Sequence, residues 1–212
     1  MKNLVSYSAA SLLLMLLIGP AARGQDTPRP QATPEPLRAI VYDGQLRALL
    51  ATFAEQYHVV IGFESDAQSP ERIKFEARDV TFHQTLDAMV IAEPRYQWRE
   101  IDGSIEFYPT VRINPVLDTV IQKFEVKDSH FAEAVESLIS LPEVKSSLAA
   151  MALTRNEAGS TRRGVGNAFS LHLEQVTMRQ VLHEMAKRSG TYFWSFRVFG
   201  ETEKFFSLGA TL

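Results

Sequence analysis

The feature that most constrains this chain is a segment that occurs twice, 96 positions apart. Residues 80–89 (VTFHQTLDAM) return as residues 176–185 (VTMRQVLHEM). The same spacing carries Tyr96-Gln97-Trp98 to Tyr192-Phe193-Trp194. An internal repeat of this kind fixes the number of folding units before any other motif is considered. The sequence therefore predicts two copies of one module.

Each copy contains the signature of a helix start. In the motif Thr-x-x-Gln, the Thr hydroxyl accepts a hydrogen bond from the amide three residues on, and the Gln side chain accepts one from the Thr amide. We therefore expect helices beginning at Thr81 and Thr177. Residues 73–77 and 169–173 precede them and alternate between apolar and polar side chains, as a half-buried strand does. The shared unit is a strand, a capped helix and an aromatic strand.

The first copy has further predicted elements on both sides of this unit. A strand is expected over 38–42, and a helix with apolar positions from Leu46 to Tyr57 is expected to be capped by Asp43. A strand over 58–63 follows. The copy closes with a hairpin of residues 96–100 and 104–108 around Asp102-Gly103.

The second copy is longer by eleven residues. We expect a strand over 119–126, a helix capped by Asp128 or Ser129, and helical character between 142 and 153. The offset between the copies rises from 85 at Asp43 and Asp128 to 96 later, so an inserted loop is predicted at about 154–167. The second copy is expected to end with residues 191–198, a turn near Gly200 and residues 204–208.

The N-terminal 24 residues have the composition of a signal peptide. A basic residue, an apolar run over 9–18 and a small-x-small pattern ending at Gly24 predict export, with cleavage between Gly24 and Gln25. Residues 25–37 are rich in proline and predict an extended linker. The first module is then expected over 38–112 and the second, degenerate one over 118–212.

Composition excludes several classes of function. Removal of residues 1–24 takes away two basic residues and no acidic one, so the net charge changes from −3 to −5. An acidic chain of this kind is not expected to bind nucleic acid. The chain contains no cysteine, which excludes disulfides, thiol catalysis and cysteine metal ligands.

The core pattern resembles the secretin and TonB short N-terminal (STN) domain. It covers residues 38–110 well and 119–208 in degenerate form, and its most characteristic segments are Asp43-Gly44-Gln45-Leu46, Val59-Val60-Ile61, Asp79-Val80-Thr81 and Tyr96-x-Trp98. The resemblance implies an α+β fold of two tandem small modules, each with two helices packed against short β-sheets. It also implies a periplasmic location and contact with another envelope protein of a secretion or outer-membrane transport and signalling system.

Motifs for catalysis or metal binding are weak. His183-Glu184 begins like a zinc-protease helix but lacks the second histidine one turn later, so an ordinary solvent-facing histidine is expected. Three arginines in and beside the inserted loop are candidate contacts for an anion or a partner: Arg155, Arg162 and Arg163. We therefore expect no enzymatic activity, no catalytic residues, no cofactor and no metal.

The expected function is that of an exported periplasmic protein-binding or adaptor module, with no membrane span in the mature chain. Small sheets leave open edges, so strand addition is the expected mode of binding. One alternative is an extracytoplasmic small-ligand binder or enzyme that uses a cleft between the modules with Arg162 and Arg163. Another is a self-assembling structural subunit, since a homo-oligomer is compatible with stacked modules.

Signal cleavage gives the first testable prediction. The exported chain should begin at Gln25, because the small-x-small pattern ends at Gly24. Mass spectrometry of the intact protein from the periplasmic fraction measures this N-terminus. Gly24→Tyr serves as the matched variant and should slow or shift cleavage. Recovery of periplasmic protein that still carries residues 1–24 would contradict the prediction.

Overall fold

The computed structural model of the chain describes residues 37–65, 72–111, 114–156, 166–200 and 204–210, with side chains from residue 40. These residues belong to one compact unit that begins at Pro34. The predicted signal peptide and most of the predicted linker lie outside the described residues. The cleavage site at Gly24 and Gln25 therefore stays a prediction.

Two helices and five strands are present in the described residues of the first half. Their order is β1 (Leu37–Gln45), α1 (Leu46–Tyr57), β2 (Ile61–Ser65), β3 (Arg72–Val80), α2 (Phe82–Ala92), β4 (Tyr96–Ile101) and β5 (Ser104–Pro109).

The second half follows a 3₁₀ turn at Pro115–Asp118 and repeats the same order with one extra helix, α4. Its elements are β6 (Val120–Ser129), α3 (Phe131–Ile139), α4 (Pro142–Ala150), β7 (Leu153–Arg155), β8 (Phe169–Thr177), α5 (Met178–Ser189), β9 (Phe193–Phe199) and β10 (Lys204–Ala210).

The strand pairing is also the same in the two halves. β1 pairs antiparallel with β3, and β6 pairs antiparallel with β8. The other six strands form one sheet in the order β4-β5-β2-β9-β10-β7. The two halves contribute β4-β5-β2 and β9-β10-β7, and they meet where β2 pairs in parallel with β9. We call this pairing the joint.

The helices of the two halves cover opposite faces of the six-stranded sheet. The first core gathers side chains of α1 and α2 with those of one sheet face, including Phe63, Tyr96 and Phe107. The second core gathers α3 and α5 with the other face, including Trp194 and Phe196. Phe193 belongs to the first core, because successive residues of β9 point to opposite faces. The observed α+β class agrees with the sequence prediction, whereas the boundaries of two separate modules stay a prediction.

The two repeated helix starts are confirmed. Thr81 and Thr177 each accept a hydrogen bond from the amide of the glutamine three residues on, and each glutamine side chain accepts one from the threonine amide. These boxes satisfy two amides that a helix start would otherwise leave unpaired.

The predicted caps of the other two helices were wrong. Asp43 lies inside β1, opposite Lys74, and its carboxylate accepts a hydrogen bond from Arg72 (2.8 Å), so it is not free to cap α1. The N-terminal flanking residue of α1 is Gln45, without a side-chain cap. For α3 the flanking residue is His130 and not Asp128 or Ser129, because β6 runs on to Ser129. Glu133 accepts the hydrogen bond from the His130 amide.

The predicted inserted loop began too early. Leu153–Arg155 form β7, which pairs in parallel with β10, so residues 154 and 155 are strand and not loop. Residues 157–165 lie outside the described residues. The helical character expected between 142 and 153 is confirmed as α4.

A glycine at the joint allows the two halves to approach. Gly62 of β2 lies opposite Trp194 of β9, and the indole covers its Cα. A Cβ at position 62 would lie 2.3 Å from Cζ2 of Trp194, far inside van der Waals contact. Because Trp194 is fully buried, the indole has no free space into which it can move.

Substitution at Gly62 should therefore destabilise the fold. Gly62→Ala is expected to lower the free energy of unfolding by about 2–3 kcal/mol through overpacking at the joint. Urea denaturation of the purified chain measures the change. Gly103→Ala is the control: it has open space around the added methyl group and a φ of +72°, and should cost only ~1 kcal/mol. Adding Trp194→Leu should remove most of the Gly62→Ala cost, and an undiminished cost would refute the indole contact as its cause.

Candidate functional site

The candidate site is built from equivalent positions on the two capped helices. The 96-residue offset relates His83 to Arg179 and Asp87 to His183. In each helix the two residues are four apart and therefore lie one above the other on the same face. That face is next to the aromatic strand that follows, β4 after α2 and β9 after α5.

On α5 these positions carry a buried ionic cluster across the joint. Arg179 Nη2 donates to Glu64 Oε2 (3.3 Å), and its Nε lies 3.3 Å from Asp118 Oδ1 and 3.5 Å from Glu106 Oε1. Glu64 and Glu106 belong to β2 and β5 of the first half and are each 1% exposed, and Arg179 is 4% exposed. One guanidinium of the second half is therefore shared by two buried carboxylates of the first half.

His183 completes the cluster and connects it to the indole at the joint. Trp194 Nε1 donates to His183 Nδ1 (3.3 Å), so the ring proton lies on Nε2, which donates to Glu106 Oε1 (3.1 Å). On its other side Glu106 accepts a hydrogen bond from Arg99 of β4 (2.6 Å), the residue directly opposite it. The cluster therefore runs from the β4 edge of the sheet to the centre of the joint.

The two buried carboxylates have opposite pKa shifts. Burial raises the pKa of Glu64 to about 7, although Arg179 and the hydrogen bond from the Asn114 amide favour its ionised form. Burial acts in the same direction on Glu106. There, however, the hydrogen bond from His183, the charge of Arg179 and the hydrogen bond from Arg99 outweigh it and hold the pKa below its ordinary value. Glu106 has more donors than Glu64, which explains the difference.

The geometry of the cluster fits a role in aligning the two halves of the sheet better than it fits catalysis on a substrate. Glu64, Glu106 and Arg179 are almost completely covered, and their charges are paired with one another. Ion pairs of this kind impose a specific alignment on two packed surfaces, but they offer no open position to a reacting molecule.

On α2 the equivalent positions are exposed and lie beside the open strand β4. Trp98 Nε1 donates to Asp87 Oδ1 (2.9 Å), just as Trp194 donates to His183. His83 stacks on Trp98, with ring centroids 5.4 Å apart, and its Nε2 lies 3.3 Å from Glu100 Oε2. The side chains of His83 and Glu100 are about half exposed, 55% and 50%. We call these four residues the edge cluster.

The main chain of β4 is open on its outer side. Thr110 N donates to Arg95 O, which fixes the alternation of the β4–β5 ladder. Arg99 then bonds to β5, whereas the amide and carbonyl of Trp98 and of Glu100 point away from it. In the part of the chain that the structure describes, no strand pairs with this outer side. In β9 the outward carbonyl of Tyr192 accepts a bond from Ile61 of β2, so the equivalent edge there is filled.

Of the three arginines predicted from sequence, Arg155 alone lies in the described part of the chain. Arg155 lies in β7, and its guanidinium donates two hydrogen bonds to the carboxylate of Glu136 on α3. Arg162 and Arg163 lie outside the described residues. The three-arginine contact therefore stays a prediction, as does the cleft that would contain it.

The solvent-facing histidine predicted at position 183 was wrong. His183 is 6% exposed, because it contacts Glu106 of the other half and Trp194 of the following strand. Sequence reasoning also missed Glu64 and Glu106. Their signal was an acidic residue inside a short apolar strand, IGFES and SIEFYP, where a charge is unusual unless it is paired.

Comparisons with known proteins identify no family. No protein-family model matches the chain, and no curated protein matches it. Among the side chains that the structure describes, no group of three or more acidic, histidine or cysteine residues is placed to hold a metal ion. No helix in the described ranges is both long and apolar enough to cross a membrane.

The opposite pKa shifts give a prediction for stability against pH. The pKa of Glu64 in the folded chain lies above its ordinary value of 4.5, so its contribution to stability is full below about pH 4.5 and is lost as the pH rises through about 7. The loss is ~3 kcal/mol. Glu64→Gln should abolish this decline and should leave the chain more stable than the unsubstituted one at pH 8. Urea denaturation between pH 4.5 and 8 measures it.

Glu106→Gln is the control for this experiment. Its pKa is lowered, so its contribution is present above pH 4.5 and is lost as the pH falls. The substitution should lower stability at pH 8 by about 3 kcal/mol, because Arg179 and Arg99 lose a buried partner. If Glu64→Gln also lowered stability at pH 8, the raised pKa of Glu64 would be wrong.

Proposed function

We propose that this chain is an exported protein-binding module of the bacterial envelope that captures a partner by pairing a strand with the open edge of β4. The observation that carries the proposal is the outer side of β4, where the main-chain groups of Trp98 and Glu100 point away from the sheet. An unpaired strand edge is a template for a strand of another chain.

The joint supports this mode of binding. β9 occupies in the second half the place that β4 has in the first, and its outer edge carries a five-residue parallel strand, β2. The 96-residue offset relates Trp98 and Glu100 of β4 to Trp194 and Phe196 of β9. The main-chain groups of both pairs therefore point to the outer side of their three-stranded half of the sheet. The chain therefore already contains one example of the pairing that we propose for its open edge.

The location and the fold family belong to the same proposal. The N-terminal composition supports export to the periplasm, and the repeated order of strands, helices and ladders supports two copies of an STN-like module. On this proposal the partner is another envelope protein of a secretion, transport or signalling system. The chain acts as an adaptor, without catalytic residues or a cofactor of its own.

A pair of proline variants tests strand addition. Glu100→Pro removes an amide that points outward, so the fold should persist while partner capture is lost. Arg99→Pro removes an amide that bonds to β5 and should unfold the edge. Glu100→Ala removes the carboxylate but keeps the amide, so it should weaken capture without abolishing it. Capture is measured in the periplasm of a double-membraned bacterium with a photo-crosslinking residue at position 97, and circular dichroism checks folding. Unchanged crosslinks to Glu100→Pro would refute the proposal.

A further inference from the structure

We infer that the β4 edge selects a strand of a different protein that runs parallel to β4, carries glycine opposite Trp98 and carries Lys or Arg two positions later. This inference rests on the proposed function, because it specifies the partner of the same edge. It is argued from the joint, where each position of the edge cluster has an equivalent whose partner is known.

The orientation of the strand follows from the joint. β2 runs parallel to β9, with Gly62 opposite Trp194 and Glu64 opposite Phe196. The 96-residue offset takes Trp194 to Trp98 and Phe196 to Glu100. We expect a partner strand to bond to the outward amides and carbonyls of β4 in the way that β2 bonds to β9. Such a strand would place one residue opposite Trp98 and the second residue after it opposite Glu100.

The glycine follows from the position of the indole. Both tryptophans donate their Nε1 proton to the same position of the preceding helix, Asp87 for Trp98 and His183 for Trp194. The indole of Trp194 held in this way leaves no room for a Cβ on the strand beside it. The stack of His83 on Trp98 fixes the second indole further. The residue opposite Trp98 is therefore expected to lack a side chain.

The Lys or Arg of the partner strand is inferred from a difference in charge between the joint and the edge cluster. At the joint the helix supplies the cation Arg179, and the incoming strand supplies Glu64. At the open edge the cation is replaced by His83, the position of His183 is taken by the acid Asp87, and the apolar Phe196 is replaced by Glu100. Glu100 thus lies opposite the position that corresponds to Glu64, two residues after the glycine. A lysine or arginine there would pair with Glu100, whereas a glutamate would be repelled.

A second copy of this chain does not supply such a strand in its described part. β2 has the glycine, but it is buried in the joint and carries Glu64 and not a cation. β7 lies at the far edge of the sheet and pairs with Lys204–Phe206 of β10. Trp194–Arg197 of β9 pair with β2 on one side and with Ser207–Ala210 of β10 on the other. β7 pairs with an earlier part of β10 and is therefore not in line with the joint. The edge therefore fits a different protein.

Three synthetic peptides test the inference on the exported form of the full chain. The first has the sequence of residues 59–65 with Glu64→Arg, the second is the unchanged sequence, and the third combines Glu64→Arg with Gly62→Thr. Nuclear magnetic resonance follows the backbone amides of Trp98 and Glu100 during each titration. We expect the first peptide to shift both amides and to bind at least tenfold more tightly than the second, and the third to cause no shift.

A charge-reversed protein is the matched control. Glu100→Lys should reverse the preference, so that the unchanged peptide binds more tightly than the Glu64→Arg peptide, while circular dichroism shows the same fold. Equal binding of the first two peptides would overturn the charge requirement, and equal binding of the third would overturn the glycine. Concentration-dependent shifts of Trp98 without peptide, together with dimers in sedimentation, would identify a second copy as the occupant and overturn the inference.

The test is separate from that of the proposed function. If none of the peptides shifts the amides of β4, the inference fails. Crosslinking that is lost in Glu100→Pro would still support strand addition by a partner of other chemistry. If crosslinking is insensitive to Glu100→Pro, the proposed function fails, whatever the peptides do.

Discussion

The parallel pairing of β2 with β9 is the contact on which the rest of the structure depends. It turns two three-stranded sheets into one of six strands, and it places Phe193 of the second half in the core of the first. Each half covers only one face of its own strands with helices. The other face of β2 and β5 is covered by α5 and Trp194, so the joint completes the packing of the first half. A missing side chain at Gly62 is what permits this close approach.

The ionic cluster gives the joint its alignment. Buried charges are costly to desolvate, and a buried ion pair often contributes little net stability compared with apolar residues of the same volume. Its stronger effect is on specificity: Arg179 and His183 are matched only when β2 and β5 lie in one position against α5. The same two helix positions carry His83 and Asp87 in the first half, where they remain exposed beside β4. Equivalent positions of the two halves thus form a closed, charged joint on α5 and an exposed cluster with two carboxylates beside β4.

Local features of this fold could be predicted from the sequence, and long-range ones could not. The capping boxes at Thr81 and Thr177 were predictable because all their partners lie within three residues. The hairpin around Asp102-Gly103 was predictable for the same reason. The cap at Asp43 failed because a strand partner, Arg72, takes its carboxylate. The buried state of His183 depends on Glu106, 77 positions away, and no periodicity within α5 reports the neighbour that covers it.

The separation of the joint's two sides along the chain has a consequence for how the protein is made. Glu64 and Arg179 are 115 positions apart. The entropy of closing so long a loop is lost before the contacts of the parallel pairing can form. Because the chain is synthesised from its N-terminus, β2 is complete long before β9 has been made. During that interval its bare glycine and its carboxylate face solvent without their natural cover. The edge of β2 is therefore covered only when β9, in the last third of the chain, has been made. The length of that delay sets how long β2 is at risk of pairing with the wrong strand.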